Sequence, residues 1–177
     1  MSAPSAEHMR TAIIHALRKQ GYRVKNGVIL MPEDPSKDDF RALNTLATQK
    51  KLEKSGPGVK PYEDRLIQYI ANGYEVVPQS ISPKIVPVEP ESEHELLFRY
   101  ACLHWSIPVS AGYGRRLRFL VIDESNGRLI GLFGLGDPVY SMQARDRWIG
   151  WDKEWKANKL YHMMDAYVLG AVPPYSF

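Results

Sequence analysis

Apolar residues recur at helical spacing in the N-terminal part of the chain. Met9, Ile13 and Leu17 lie four residues apart, so a helix that begins near Ser5 has one apolar side. The Ser5 hydroxyl suits an N-cap, because it can accept a hydrogen bond from the first turn. Valine-rich runs then flank an Asn-Gly dipeptide at 26–27. This pattern predicts a β-hairpin, since both residues of such a turn tolerate positive φ angles.

Two further helices are predicted before the chain changes character. Ser36 and Asp39 resemble a capping box, so the second helix is expected to run from there to about Lys54. A third is expected over residues 61–71. A proline-rich segment follows, typical of an extended connector or an edge strand, because proline cannot donate to a central ladder. A domain boundary is therefore placed near residue 80, and residues 1–80 are predicted to be helical with one small hairpin.

The second region, residues 81–177, is predicted to contain a sheet. Ser92 and Glu95 form a capping box for a fourth helix. Two apolar runs, at 116–123 and 128–134, are joined by a Ser-Asn-Gly turn, so we expect them to pair as antiparallel strands. Their near-continuous hydrophobicity indicates that both faces of the sheet are covered, or that one face meets a heavy layer of helices.

A last helix is expected from Lys153 to about Val168. The predicted fold class is therefore α+β: a helical N-terminal region with a small hairpin, then an antiparallel sheet packed with helices. The predicted core consists of the apolar residues on the inward sides of these elements. They are Ile13, Leu17, Phe40, Leu43, Leu66, Leu97, Phe119, Val121, Leu129, Ile130 and Leu132.

The composition limits the chemistry open to the chain. A hydrophobic content of 44% suffices for a core, and a net charge of +3 permits contact with nucleic acid without requiring it. Cys102 is the only cysteine, which excludes an internal disulfide and a cysteine-based zinc site and suits a reducing cytosol. No apolar run reaches the roughly 18 residues of a membrane span. We expect a cytoplasmic protein with no cofactor and no membrane segment.

The stretch from 129 to 154 concentrates glycine, charge and tryptophan after a buried strand. The residues of interest are Gly134, Gly136, Asp137, Arg145, Asp146, Arg147, Trp148 and Trp151. The glycines favour a turn. We expect Arg145 or Arg147 to pair with Asp137 or Asp146, because the polar groups of a strand end need charge-assisted partners.

The tryptophans of the same stretch allow two interpretations. Trp148, Trp151 and Trp155 share one side if the segment is helical, although Gly150 weakens that assumption. A stripe that packs into the core is the simpler interpretation. The alternative is a platform for cation–π contacts or base stacking.

Arginines cluster in the sequence "GYGRRLR". Arg115, Arg116 and Arg118 follow two glycines, and their forked guanidinium groups suit phosphate. Alternation along a strand would place Arg116 and Arg118 on one side and leave Arg115 at the turn. These arginines are the predicted nucleic-acid-binding residues, helped by the lysines of the second helix, Lys50, Lys51 and Lys54. The alternative is a glycine turn into a strand whose arginines face solvent or pair internally with Asp123, Glu124 or the acidic segment 89–95.

Candidate catalytic groups are few. His162 and Asp165, three residues apart on the predicted last helix, could orient a histidine base, but a local structural pair is the simpler interpretation. There is no Gly-x-Ser-x-Gly elbow and no phosphate-binding loop. We predict no metal site, because the available carboxylates lack histidines at metal-binding spacing. These carboxylates belong to Asp123, Asp137, Asp146 and Asp165.

Several pieces of the second region resemble the Druantia antiphage-defence A protein (DruA) family. The most specific are "GYGRRLRFLV", "GLGDPV", "ARDRWIGW" and "MDAYVLGAVPPY", and the resemblance extends over residues 84–176. It implies a bacterial or phage-encoded protein linked to antiviral defence, with other defence proteins as partners. The layout is also loosely similar to the acetyltransferase fold, by analogy only. Family members continue past "VPPY", so the second region is expected to be incomplete.

Two functional hypotheses follow. The first is a nucleic-acid-interacting module, for DNA or RNA, without catalysis of its own, which requires an open basic face with exposed rings. The alternative is an acyltransferase-like or metal-dependent enzyme, which requires a pocket that gathers Asp137, Arg145, Asp146 and Arg118. A truncated, non-functional fragment is a further alternative.

Overall fold

The computed structural model describes residues 5–19, 22–30, 36–105 and 109–176. These residues form two compact units. One reaches to Lys54 and includes Trp105, and the other comprises Ser55–His104 and the residues from Val109 onward. The boundary suggested by the sequence near residue 80 falls inside the second unit. No helix in these ranges is long and apolar enough to cross a membrane.

The first unit contains two helices and a hairpin. Its elements are α1 (Ala6–Lys19), β1 (Arg23–Lys25), β2 (Val28–Leu30) and α2 (Lys37–Ser55). The predicted hairpin is confirmed: Asn26 and Gly27 have φ angles of 52° and 78°, and β1 pairs with β2 in antiparallel register. The predicted caps are confirmed as well. Ser5 Oγ accepts from the His8 N–H at 3.2 Å, and Ser36 and Asp39 form a reciprocal capping box.

The predicted core of the first unit is partly wrong. Ile13 is 60% exposed and Leu17 is half-buried, and no residue of α1 is fully buried. Helical spacing identifies the apolar side of a helix but not whether another element covers it. The predicted core side chains of Phe40 and Leu43 lie outside the described part of the structure.

The second unit is built on one four-stranded antiparallel sheet. Its strands are β3 (Pro83–Pro87), β4 (Arg116–Asp123), β5 (Arg128–Gly136) and β6 (Asp165–Ala171), in that order across the sheet. The predicted direct pairing of the two central apolar runs is confirmed by the β4–β5 register, from Arg116 opposite Gly136 to Asp123 opposite Arg128. The proline-containing β3 lies at an edge, as its composition predicts. The α+β prediction is therefore confirmed.

Short helices accompany this sheet. They are α3 (Glu63–Leu66), α4 (Glu93–Leu103), α5 (Gln143–Ile149) and α6 (Lys153–Lys159). The predicted cap of α4 is half confirmed: Ser92 Oγ accepts from the Glu95 N–H at 3.2 Å, but the Glu95 carboxylate accepts from the Glu91 N–H instead of from Ser92. That carboxylate also binds an arginine on β4, which positions α4 over the sheet.

Leucines form the centre of the second unit. Leu66, Leu97, Leu129 and Leu132 are fully or almost fully buried, which confirms four of the predicted core positions. Three others, Phe119, Val121 and Ile130, are only half-buried. Leu120, which the sequence did not single out, is fully buried. Because neighbouring residues of a strand point to opposite faces, the better covered face of β4 is the one that carries Leu120.

Two predicted helices are wrong. Over 60–69 the chain forms the single turn α3 between 3₁₀ turns, and it ends in an extended Ile70. The helix expected from Lys153 to Val168 stops at Lys159. A 3₁₀ turn follows at 160–162, and the next apolar run is strand β6. This run pairs with β5 along the sheet, and that non-local partner overrides the local helical spacing.

Candidate functional site

A tyrosine on β6 lies in a cradle of glycines. β6 has an irregularity opposite Gly134, and Tyr167 is the extra residue there. A Cβ atom on Gly134 would lie 2.5 Å from Tyr167 Cζ, and one on Gly112 would lie 2.7 Å from Cε1. A Cβ atom on Gly136 would lie 3.3 Å from Cδ1 of the same ring. The ring therefore occupies space that only glycine leaves open, and we call these four residues the tyrosine cradle.

The cradle explains two of the glycines of the stretch 129–154. Gly134 and Gly136 admit the Tyr167 ring, whereas the predicted role was a turn. The Tyr167 hydroxyl is buried beside the Arg118 guanidinium, yet it makes no well-formed hydrogen bond with any described residue. A buried hydroxyl without a partner is uncommon.

Asp137 connects the end of β5 to the glycine-rich loop before β4. Its carboxylate accepts from the Arg115 backbone N–H at 2.8 Å and from Arg115 Nε at 2.7 Å. The same guanidinium donates to the Tyr161 carbonyl at 2.7 Å and lies 4.1 Å above the Tyr161 ring. The backbone N–H and then the guanidinium of Arg115 hold the pKa of Asp137 below its usual value. Arg115 is thus held as an internal partner of Asp137, a carboxylate that the sequence-based pairing had assigned to Arg145 or Arg147.

Asp146 is the centre of a shielded ion network. It accepts from Arg145 Nη2 at 2.7 Å and from Lys156 Nζ at 3.1 Å. The side chains of Arg145, Asp146 and Lys156 are only 11%, 13% and 16% exposed. Arg145 also donates to the Val139 carbonyl at 2.8 Å. The predicted Arg145–Asp146 pair is therefore confirmed, and it ties α5 to α6 and to the loop after β5.

The tryptophans do not form a core stripe. Gly150 has a φ angle of 80° and ends α5, so Trp148, Trp151 and Trp155 do not share one helix. Trp148 is 89% exposed and Trp155 is also exposed, so the simpler interpretation of these rings is wrong. Trp151 is half-buried under Arg145, whose Cζ lies 5.9 Å from the ring centroid. Arg147, the last charged residue of the motif, donates to Gln143 Oε1 on its own helix.

Arg116 and Arg118 share one side of β4, as alternation predicts. Both line a shallow cavity of about 210 Å³, together with Val88, Glu89, Pro90 and Glu95. Arg118 pairs with Glu95 at 3.0 Å, a partner from the acidic segment named in the alternative interpretation. The side chain of Arg116 is exposed and makes one long hydrogen bond, at 3.4 Å, to the Ala111 carbonyl.

The remaining predicted binding residues belong to the other unit. Lys50, Lys51 and Lys54 lie on α2; Lys50 and Lys54 are exposed, and Lys51 is half-buried. The three arginines belong to the second unit. The two groups of basic residues therefore belong to different units.

The cavity beside β4 does not gather the groups that the enzyme hypothesis requires. Of Asp137, Arg145, Asp146 and Arg118, only Arg118 lines the cavity. Within the described residues no cluster of three or more histidine, cysteine or carboxylate side chains could hold a metal ion. His162 ends a 3₁₀ turn and Asp165 begins β6, and no hydrogen bond joins these two described residues. The predicted helical pair is therefore wrong.

Asp123 has a structural role that the sequence did not reveal. It is fully buried and accepts from the Ser82 N–H, the Ser125 N–H and the Tyr175 hydroxyl at 2.9 to 3.0 Å. Burial by itself would raise the pKa of Asp123, but these hydrogen bonds outweigh it and the pKa is lowered. Tyr175 belongs to the "VPPY" piece, so that piece holds the β4–β5 turn. Alternating glycines opposite an aromatic residue were the available signal for the tyrosine cradle; no comparable signal points to Asp123.

The fold and these contacts define an α+β protein in which three of the four specific sequence pieces meet around the tyrosine cradle. These pieces are "GYGRRLRFLV", "GLGDPV" and "MDAYVLGAVPPY". The family model for the Druantia protein DruA matches residues 34–177. The chain therefore belongs to the DruA family of the Druantia antiphage-defence system, which confirms the resemblance.

A curated relative extends beyond this chain. The Druantia protein DruA of Escherichia coli (strain UMEA 4076-1) is 42% identical over 160 residues, which cover 90% of this chain and 40% of the relative. The chain thus spans about two fifths of the curated relative that it matches. The comparison with solved structures finds no match.

Proposed function

We propose that this chain is a nucleic-acid-binding component of Druantia antiphage defence, without catalysis of its own. It acts in the cytoplasm beside other defence proteins and binds without sequence preference. The family membership supports the defence role. The nucleic-acid role rests on a surface of the second unit where arginines and exposed tyrosine rings meet.

One observation carries the proposal. Arg115 lies 4.1 Å above the exposed ring of Tyr161, and Tyr113 is exposed two residues before it. Arg116 follows directly with an exposed guanidinium. We call Tyr113, Arg115, Arg116 and Tyr161 the basic–aromatic cluster. Cations attract phosphate, and exposed rings stack on bases of any sequence, so such a cluster suits single strands.

The internal ion pairs determine which of the three arginines is most available to bind phosphate. Asp137 offsets much of the charge of Arg115, and Glu95 offsets that of Arg118. Within the described residues, Arg116 has no carboxylate within 4.0 Å, so its charge is the one most available to phosphate. Lys50, Lys51 and Lys54 supply a second basic surface, on α2. We therefore expect weak binding that depends mainly on Arg116.

The test is a fluorescence-anisotropy titration with labelled single- and double-stranded DNA and RNA over a salt series. We expect dissociation constants between about 1 and 100 μM, the range of non-specific binding. Affinity should fall steeply with salt, because phosphate contacts release counterions. Arg116→Ala should flatten the slope of log affinity against log salt by about 0.7–0.9, the value for one phosphate contact.

Arg147→Ala is the matched control. Arg147 is an exposed arginine of the same unit, outside the basic–aromatic cluster, and among the described residues its guanidinium donates to Gln143 alone. Arg147→Ala should leave the slope of log affinity against log salt nearly unchanged. No binding of any nucleic acid near ~100 μM protein at low salt would overturn the proposal. Equal effects of the two substitutions would show that net charge, and not the cluster, attracts the nucleic acid.

A further inference from the structure

One face of the four-stranded sheet is apolar and open. We propose that this face is a docking surface for a protein segment homologous to the part of the curated relative that lies outside its match to this chain. The proposal is independent of nucleic-acid binding, because it uses residues outside the basic–aromatic cluster.

The strand register defines the face. Phe119 lies opposite Phe133, which in turn lies opposite Leu169 on β6. Val121 lies opposite Ile85 on β3. Residues directly opposite each other in an antiparallel sheet point to the same side, as do residues two apart on one strand, which adds Leu117. The open face thus consists of Ile85, Leu117, Phe119, Val121, Phe133 and Leu169.

These side chains are unusually exposed for apolar residues that lie together on one face of a sheet. Leu169 is 73% exposed, Ile85 60% and Leu117 49%. Phe119 and Phe133 stack at 4.7 Å between ring centroids and are half-buried. On the opposite face Leu120 and Leu132 are buried, on the side where α4 packs. Among the described residues of the second unit, a helix, α4, packs on the face that carries Leu120, and none packs on the face that carries Phe119.

An open apolar face of this kind is not the normal state of an antiparallel sheet. A solvated face usually carries polar residues in alternation with the buried ones. A contiguous apolar surface on a soluble protein marks a site of interaction. β4 from Phe119 to Ile122 and β5 from Leu129 to Gly136 are apolar on both sides, so these parts of the strands fit a sheet that is covered on both faces.

The relative suggests the occupant. More than half of its length lies outside the match to this chain, so this relative contains further polypeptide that is long enough to cover a sheet face. A sheet face is generally covered by helices or by a second sheet. The two edges of the sheet differ. β3 carries Pro83 and Pro87, which block extension of the sheet, whereas β6 (Asp165–Ala171), the edge strand that carries Leu169, contains no proline. A partner on the open face can therefore also contact the β6 edge.

The test joins the unmatched region of the Escherichia coli relative to the whole chain through a flexible linker after Phe177. Leu169→Asp is the informative substitution, because the side chain is exposed in the chain alone and would be buried in the docked form. In the chain alone Leu169→Asp should shift the Tm by less than about 3 °C. In the fusion it should lower the Tm by more than about 5 °C.

Ile67→Asp is the matched control. Ile67 is also half exposed and apolar, but it lies on the 3₁₀ turn at 67–69 and not on the sheet. Ile67→Asp should shift the Tm by the same amount in the chain alone and in the fusion. As a second measurement, hydroxyl-radical labelling of Leu169 and Ile85 should fall several-fold in the fusion and stay unchanged at Ile67.

Three results would overturn the proposal. The first is an equal effect of Leu169→Asp in the chain and the fusion. The second is undiminished labelling of the open face in the fusion. The third is a dimer of the chain alone, seen by light scattering, that Leu169→Asp dissociates; that result would assign the face to a second copy of the chain.

Discussion

Gly134 lies against the ring of Tyr167, so closely that a Cβ atom at Gly134 would be 2.5 Å from Cζ of the ring. The two residues belong to neighbouring strands, and a sheet irregularity turns Tyr167 over the glycine. Gly112 and Gly136 border the same ring from the loop before β4 and from the end of β5. Three segments far apart in sequence are therefore joined by one aromatic side chain.

We predict that Gly134→Ala destabilises the chain by about 1–3 kcal/mol, because an added methyl in a filled site forces ring or backbone to move. Urea denaturation gives the change in the free energy of unfolding. Gly73→Ala is the control, since a Cβ there would meet no atom within 4 Å. If Gly134→Ala lowered the free energy of unfolding as much in a Tyr167→Ala background as in the unsubstituted chain, the contact between the two residues would not be the cause.

Local signals made much of the fold predictable. The Asn26-Gly27 hairpin and the Ser92 cap depend on residues within three positions of each other. The pairing of β4 with β5 follows from a short turn between two apolar runs. In contrast, β6 depends on the distant strand β5, and the spacing of its apolar residues also fits a helix. That local ambiguity produced the wrong helix over 153–168.

The site was less predictable for the same reason. The Arg145–Asp146 pair joins neighbours in sequence and was expected. Arg115 and Asp137 are 22 residues apart, and the order of the strands brings them together. The tryptophan stripe failed because Gly150 adopts a left-handed conformation that ends α5. Sequence spacing cannot show which of several nearby charged residues will form ion pairs in the folded protein.

The ion network at Asp146 should contribute strongly to stability. Asp146→Asn would leave Arg145 and Lys156 close together and largely shielded, without the carboxylate between them. We expect a clear loss of stability, larger than that from breaking a fully exposed pair, because the two cations would repel each other without the carboxylate between them. Chemical denaturation of the variant provides the measurement.

Asp38→Asn is the comparison for this prediction. It removes an exposed pair with Arg41 on α2 and should cost less than about 1 kcal/mol. Similar losses for Asp38→Asn and Asp146→Asn would contradict the assigned importance of shielding.

Acid should weaken the fold through the buried carboxylate of Asp123. Its pKa is lowered in the folded state, so it binds a proton more readily when the chain unfolds. The stabilisation from Asp123 is therefore fully present above the unfolded pKa of about 3.9 and is lost as pH falls through the lower folded pKa. Urea midpoints between pH 7 and pH 2.5 should fall most below about pH 4. Asp123→Asn should be less stable at pH 7 and show a shallower acid loss; an unchanged acid profile would exclude Asp123 as a source.

The pairing of Arg115 with Asp137 leads to a prediction of gained binding. If Asp137 masks the charge of Arg115, Asp137→Asn should release that guanidinium to phosphate while the amide oxygen still accepts from the Arg115 N–H. Affinity for single-stranded DNA at low salt should rise by about 3- to 10-fold, and the salt slope should steepen by up to about 0.7, the value for one added contact on a single strand.

Asp64→Asn on α3 makes the same change in net charge outside the basic–aromatic cluster and should produce a much smaller gain. Equal gains would attribute the effect to net charge. Weaker binding by Asp137→Asn, with an unchanged Tm, would mean that Asp137 holds Arg115 in the orientation that meets phosphate, and the masking interpretation would be wrong.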